Sequence, residues 1–223
     1  MVNRFAMRST GDMQADWDAR AVEDYRFYID TCHYESEDDF DRNGIKDVAY
    51  LVNPVYNSIS HDHLLEIGCG AGRMTKHLSK NFNKVIATDV SEEMLHFAAR
   101  RLANPESNVT LMHTNGITLP DVEDEWSDFT LCFAVLDHIP ERSYVTGLLM
   151  EIRRTLNPLG MAVLEIGGCG LGKNDIDSHA GTWNGIKWTP GGFERFLEKV
   201  GFTVEVVNTL GNPVMIYYAR RSR

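Results

Sequence analysis

Residues 64–78, LLEIGCGAGRMTKHL, hold this part of the chain to one local course: an apolar strand, a tight turn through Gly68, Gly70 and Gly72, and a helix. Glycine is needed where a backbone turns left-handed or where another group must come close. Three of them at alternate positions, just after a strand that carries Glu66, mark a turn built to meet a ligand.

The rest of the chain follows the same rhythm from residue 63 onward. HLLEIG (63–68), KVIATDV (84–90), NVTLMHTN (108–115), FTLCFAVL (129–136) and MAVLEIGG (161–168) read as strands. Helical patterns cover 73–80, 91–103, 141–156 and 190–200, the last closed by Gly201. The final stretch, FTVEVVNTLGNPVMIYYARR, reads as two strands joined by LGNP. The expected fold is therefore α/β: a doubly wound, mostly parallel, seven-stranded sheet with a C-terminal antiparallel hairpin. Ahead of it, residues 12–31 form a helix with Trp17, Tyr25, Phe27 and Tyr28. ESEDDFDRNG is a polar loop, and a second helix near 44–59 contains Pro54. Residues 1–60 are read as a helical extension or lid, and 61–223 as the ligand-binding domain.

Charge narrows the partners. The formal net charge is −10, and the first sixty residues supply −6 of it, from twelve acids and six bases. Long nucleic acid calls for a basic footprint, so none is expected as partner. The N-terminal stretch has no continuous apolar run, which argues against a signal peptide or membrane span and for a cytoplasmic protein. Cys32, Cys69, Cys132 and Cys169 are scattered, and His61 and His63 lie in a polar turn; reduced thiols and solvated histidines are expected, with no metal. GGCGLGKN, 167–174, comes near the GxxxxGK[ST] phosphate loop. Asn174 replaces the hydroxyl and no helix follows, so that reading is rejected.

Two features narrow the ligand of the glycine turn. A dinucleotide fingerprint needs its third glycine at 73, where the chain has Arg73. Asp89, twenty-one residues beyond Gly68 and at the end of the next strand, suits both hydroxyls of a ribose. Glu66 would repel a pyrophosphate but suits a ligand bearing an amino group and a positive charge.

LLEIGCGAGRMTKHLSKNFNKVIATDVSEEMLHFAARRL, with the later FAVLDHIPERS and EIRRTLNPLGMAVLE, resembles the class I S-adenosylmethionine-dependent methyltransferases, especially bacterial small-molecule members. The likeness runs from about residue 62 to 166. It implies S-adenosyl-L-methionine as cofactor, with Glu66, Gly68, Cys69, Gly70, Gly72 and Arg73 around its amino-acid part. It also implies Asp89 on the ribose, and Val90, Met94, Asn115, Gly116 and Ile117 about the adenine. Asn115 stands where relatives often carry Asp; an amide oxygen accepts the same hydrogen bond. Phe133 to His138 would border cofactor and acceptor. Met94 and Ile117 also suit plain core positions.

For the reaction, His138 is the candidate base, and Asp137 either polarises the acceptor or caps the following helix. Tyr25, Tyr28, His179 and Trp183 are the candidate acceptor-binding residues, with Trp17 and Trp188 as further aromatics of the lid and loop. The N-terminal aromatics fit equally a lid or an anchor. The expected acceptor is an oxygen or nitrogen of a small molecule such as a sugar or secondary metabolite. A protein or RNA methyltransferase, or a relative that binds the cofactor without catalysis, is the alternative.

Overall fold

The computed structural model describes residues 12–32, 34–104, 107–167, 181–209 and 214–222. Its helices are α1 (Met13–Asp30), α2 (Glu37–Val52), α3 (Thr75–Leu78), α4 (Glu92–Arg101), α5 (Arg142–Thr155) and α6 (Pro190–Val200). Its strands are β1 (His63–Ile67), β2 (Lys84–Asp89), β3 (Val109–His113), β4 (Ser127–Cys132), β5 (Leu156–Gly167), β6 (Phe202–Thr209) and β7 (Val214–Arg221). They form one seven-stranded sheet in the order β3-β2-β1-β4-β5-β7-β6. The first five strands run parallel, and β7 lies antiparallel to both β5 and β6. This is the expected fold class, with two helices ahead of the sheet.

The central strands are apolar because they are covered on both faces. Leu65, Ile67, Val145, Leu149, Ile152, Trp188 and Phe193 belong to one core. Leu64, Leu78, Phe82, Val85, Phe129, Leu131 and Val163 belong to the other. The strand order reverses direction between β1 and β4. A crevice at such a switch point, beyond the carboxyl ends of the strands, is where open α/β sheets take ligands.

Several boundaries differ from the sequence expectation. α2 starts within the supposed loop ESEDDFDRNG, because Ser36 caps it by accepting from Asp39 N at 3.1 Å. Glu37, Asp38 and Asp39 then meet the positive end of the helix dipole. Gly44 sits inside α2 because a Cβ there would lie 2.6 Å from the Arg73 carbonyl oxygen. α2 ends at Val52, ahead of Pro54, which cannot supply a helical N–H. β4 stops at Cys132, four residues early, because Ala134 turns left-handed at φ +55°. β5 starts at Leu156, where it already pairs with Ser127. LGNP, residues 210–213, and residues 168–180 of the Gly-rich loop fall outside the described residues.

Trp188 departs furthest from the expected loop wall. It is fully buried, stacks on Phe196 at 4.8 Å, meets Phe193 at 5.3 Å and lies under the Arg142 guanidinium. It is a core residue that anchors α6.

Charged side chains fasten the two N-terminal helices to the sheet domain. Arg73 pairs with Asp47 of α2, Lys76 with Asp41, and Arg101 with both Glu37 and Asp41. Asp18 of α1 accepts from Ser91 Oγ at 2.6 Å and from Glu93 N at 3.1 Å, so α1 helps cap α4.

Candidate active site

The glycine turn has the geometry its sequence implies. Gly68, Gly70 and Gly72 have φ of +69°, +54° and +76°, conformations that a side chain makes strained. A Cβ on Gly68 would lie 2.2 Å from Val135 Cγ2, and one on Gly70 would lie 2.9 Å from Ile29 Cδ1. The first close approach joins the turn to the end of β4, and the second joins it to α1.

Beside this turn lies a cavity that, counted together with its opening to solvent, encloses about 980 Å³. Its glycine side is lined by Gly68, Cys69, Gly70, Arg73, Thr88, Asp89, Val90, Met94, Thr114 and Gly116. Trp17, Tyr28, Phe133, Ala134, Val135, His138 and Ile139 complete the lining, Val135 standing directly against Gly68. α1 runs over the mouth: Met13 Cε is 3.1 Å from a Cβ built on Gly116, while Ile29 stands over Gly70.

Asp89 closes the β2 end of the cavity. Its Oδ2 accepts from Gly70 N at 2.8 Å and its Oδ1 from Ser91 N at 2.9 Å. Burial pushes its carboxyl up to about 6 despite these donors, and the Asp18 charge adds to the rise. Glu66 is buried beneath the turn, and neither of its carboxylate oxygens has a hydrogen-bond partner among the described residues. Burial raises it to about 7, with the Thr75 hydroxyl and the Arg73 guanidinium opposing the rise and the Asp89 charge adding to it. A buried carboxylate left without partners favours a cation or donor nearby.

His138 stands in an aromatic corner. Its ring lies 5.0 Å from Trp17 and 5.2 Å from Trp183 between centroids, and Tyr28 meets Trp183 edge-on at 5.5 Å. The Trp183 carbonyl is 2.9 Å from His138 Nδ1, so Nδ1 carries the proton and Nε2 is the acceptor in the neutral ring. Burial lowers its pKa to about 4; the Trp183 carbonyl opposes this, while the Lys187 and Arg20 charges add to it. The ring is therefore neutral near pH 7 and a weak proton acceptor.

The segment around Trp183 is tied to α1. Thr182 Oγ1 donates to Asp16 at 2.7 Å, and the Arg20 guanidinium lies 4.7 Å over Trp17 and 5.4 Å over Trp183. Glu165 supports the opposite wall: its Oε2 accepts from Ala134 N at 2.7 Å.

Other expected site residues lie elsewhere. Glu66 and Gly72 do not line the cavity; a Cβ on Gly72 would meet Leu102 at 3.1 Å and Ala98 at 3.5 Å, both at α4. Asn115 is exposed, and its Oδ1 accepts from Ile117 N at 2.9 Å and Thr118 N at 2.8 Å, so a local turn takes the amide oxygen. Ile117 packs against Gly147 of α5. Asp137 accepts from Gly167 N and stands 3.7 Å from Lys187 Nζ, away from the cavity lining. Tyr25 stacks on Phe97 at 4.3 Å and donates to Glu37 at 2.7 Å, anchoring α1 at a distance from the cavity. Trp183 stands behind Tyr28 and His138 without lining the cavity. His179 lies outside the described residues. Sequence reasoning missed Met13, Ile29, Thr88 and Thr114. Thr88 and Thr114 sit next to strand ends already singled out, which was a usable signal.

With this geometry in view, residues 65–164 match the methyltransferase domain family. The chain is 27% identical over 157 residues to a Streptomyces fradiae dTDP-3-amino-3,6-dideoxy-alpha-D-glucopyranose N,N-dimethyltransferase, covering 70% of this chain and 57% of that protein. It is 24% identical over 109 residues to a ubiquinone biosynthesis O-methyltransferase of Hydrogenovibrio crunogenus, covering 46% and 45%. The chain thus spans about half the length of these two curated relatives. The solved magnesium protoporphyrin IX methyltransferase of Synechocystis, with bound SAH, superimposes with a TM-score of 0.70 at 16% identity, covering 94% of this chain and 98% of that one. At that identity the likeness is one of fold.

Proposed function

We propose that the chain is a class I S-adenosylmethionine-dependent methyltransferase, a reading supported by the match of residues 65–164 to the methyltransferase domain family, and that it moves a methyl group from S-adenosylmethionine to an oxygen or nitrogen of a small molecule. The observation that carries this reading is the unit made by the left-handed glycine turn and Asp89, which presents a Cβ-free cradle beside a buried carboxylate. The residues fit the cofactor. Asp89 keeps free lone pairs for two ribose hydroxyls, since each oxygen accepts one backbone N–H and can accept more. Val90, Met94 and Gly116 give an apolar slot for the adenine. Glu66, buried beneath the turn and outside the lining, is raised to about 7, and a cationic ligand in the cavity would favour its ionised form through space.

The bound cofactor supplies an activated methyl carbon on a sulfonium. The chain's own part is to hold the acceptor in line and keep water out. α1, strapped down by Asp16 and Asp18, acts as the lid, residues 1–60 serving as the extension and 61–223 as the catalytic domain. His138 Nε2 accepts a hydrogen bond from the acceptor and orients it.

Thermal unfolding tests the reading. S-adenosylmethionine at about a hundred times its Kd should add about 2.7 kcal/mol, a midpoint rise of roughly 5–10 °C for a chain of this size. NAD and ATP should leave the midpoint unchanged. Equal shifts with NAD would replace the proposed cofactor with a dinucleotide.

A further inference from the structure

The side of the cavity away from the glycine turn limits what the acceptor is. Trp17, Tyr28 and His138 face it, and none of the three carries a charge near pH 7. The charged groups nearby are matched within the protein. Asp16 accepts from Thr182 and lies against Arg20; Asp137 faces Lys187 and the Gly167 amide. Among the described residues, a phosphorylated or nucleotide-linked acceptor would find no unmatched cation on this side, and an alkylammonium would find no unmatched carboxylate. A sugar needs several donors and acceptors for its hydroxyls, because burying them without partners is costly. Among the described residues the polar side-chain groups on this side are few: the His138 ring, the Trp17 indole N–H and the Tyr28 hydroxyl, which already donates to Glu23 at 3.1 Å. Aromatic walls, by contrast, suit a flat ring, by stacking or edge contacts.

Resting on the proposed methyltransferase reading, we propose that the acceptor is a flat, uncharged ring compound with a ring hydroxyl. It lies between Trp17 and Tyr28 and donates its hydroxyl to His138 Nε2. The tautomer fixed by the Trp183 carbonyl makes Nε2 an acceptor, so the ligand must bring the donor. The weak basicity of this imidazole points the same way. In the transfer the hydroxyl oxygen bonds the methyl carbon as the carbon–sulfur bond breaks, leaving S-adenosylhomocysteine, and the hydroxyl proton passes to His138 Nε2. A ring hydroxyl, with a pKa near that of tyrosine at about 10, gives up that proton far more readily than a sugar alcohol does.

The test uses the full chain with S-adenosylhomocysteine bound, and three probes: 2-naphthol, methyl glucopyranoside and butylamine. Calorimetry, with quenching of tryptophan fluorescence as a second readout, should show 2-naphthol binding below about 1 mM. Neither the glucoside nor the amine should bind in that range. Trp17→Leu should weaken 2-naphthol about tenfold through loss of the aromatic contact. Tyr28→Phe, which keeps the ring, should leave its affinity within about twofold. Naphthol failing to bind beside bound S-adenosylhomocysteine, or losing to the glucoside or the amine, overturns the substrate class alone. Failure of S-adenosylhomocysteine itself to bind overturns the methyltransferase reading, and this inference with it.

Discussion

The backbone N–H of Gly70 donates to Asp89 Oδ2 at 2.8 Å, so the turn after β1 and the carboxylate ending β2 move as one piece. On the other side of Gly70, Ile29 Cδ1 of α1 lies 2.9 Å from where a Cβ would stand, so the Ile29 side chain must turn aside to admit one. Gly70→Ala should therefore act on two elements at once. It forces a side chain into a left-handed residue, a strain of roughly 1–2 kcal/mol, and displaces the Ile29 side chain that packs α1 onto the turn. The expected result is a lower unfolding midpoint together with weaker S-adenosylmethionine binding. Hydrogen exchange should show faster opening of α1. Unchanged exchange in α1 would mean that the Ile29 contact does not hold the lid.

Glu66 and Asp89 make a pH prediction. Both are raised by burial, to about 7 and about 6, from ordinary values of 4.5 and 3.8. A carboxyl raised in the folded state contributes stability that is complete below its unfolded pKa and is lost as pH climbs through its folded pKa. The ligand-free protein should thus lose part of its stability between about pH 4 and pH 7. A cationic ligand favours the ionised carboxylates, so cofactor affinity should rise over the same window. Glu66→Gln should flatten both trends relative to the parent chain. Parallel pH profiles for parent and variant would remove Glu66 from the account.

Glu165 supports the turn after β4 through the Ala134 amide, and burial with the neighbouring Asp137 charge raises it to about 8. Ala134 is held at φ +55°, where alanine is strained. Glu165→Gln keeps an oxygen for that amide and should lose little. Glu165→Leu leaves a donor without its acceptor, a destabilisation of about 1–3 kcal/mol, seen as a lower denaturant midpoint. If Leu and Gln variants are equally stable, the hydrogen bond does not support the turn.

Thr182 joins its segment to α1 through Asp16, across 166 residues of sequence. Thr182→Val keeps the shape and removes the donor. Limited proteolysis should then cut near 181–184 sooner, and the emission of Trp17 and Trp183 should shift as their environment opens. Cutting at the parent rate would show that the Arg20 contacts alone hold the segment.

What the sequence reveals here is local. Strand, glycine turn and Asp89 follow each other within a short span, and each is dictated by backbone sterics or by period-two and helical patterning. The acid run 37–39 was misjudged because acids in a first helical turn look like a loop until Ser36 is seen as their cap. Asn115, Tyr25 and Trp188 have the right chemistry, yet local turn bonds, an anchor to Phe97 and a place in the core account for them. Met13 and Ile29 were missed for the opposite reason. They are ordinary apolar residues, and their place over Gly116 and Gly70 depends on how α1 crosses the sheet.

The most direct test of the central claim is calorimetric titration of S-adenosylhomocysteine into the parent chain and into Asp89→Ala. The account predicts binding to the parent and a loss of about a hundredfold or more in the variant, since hydrogen bonds to a charged acceptor are worth roughly 1.5–3 kcal/mol each. Equal affinity for the two proteins would contradict it, because the ribose would then not lie on Asp89.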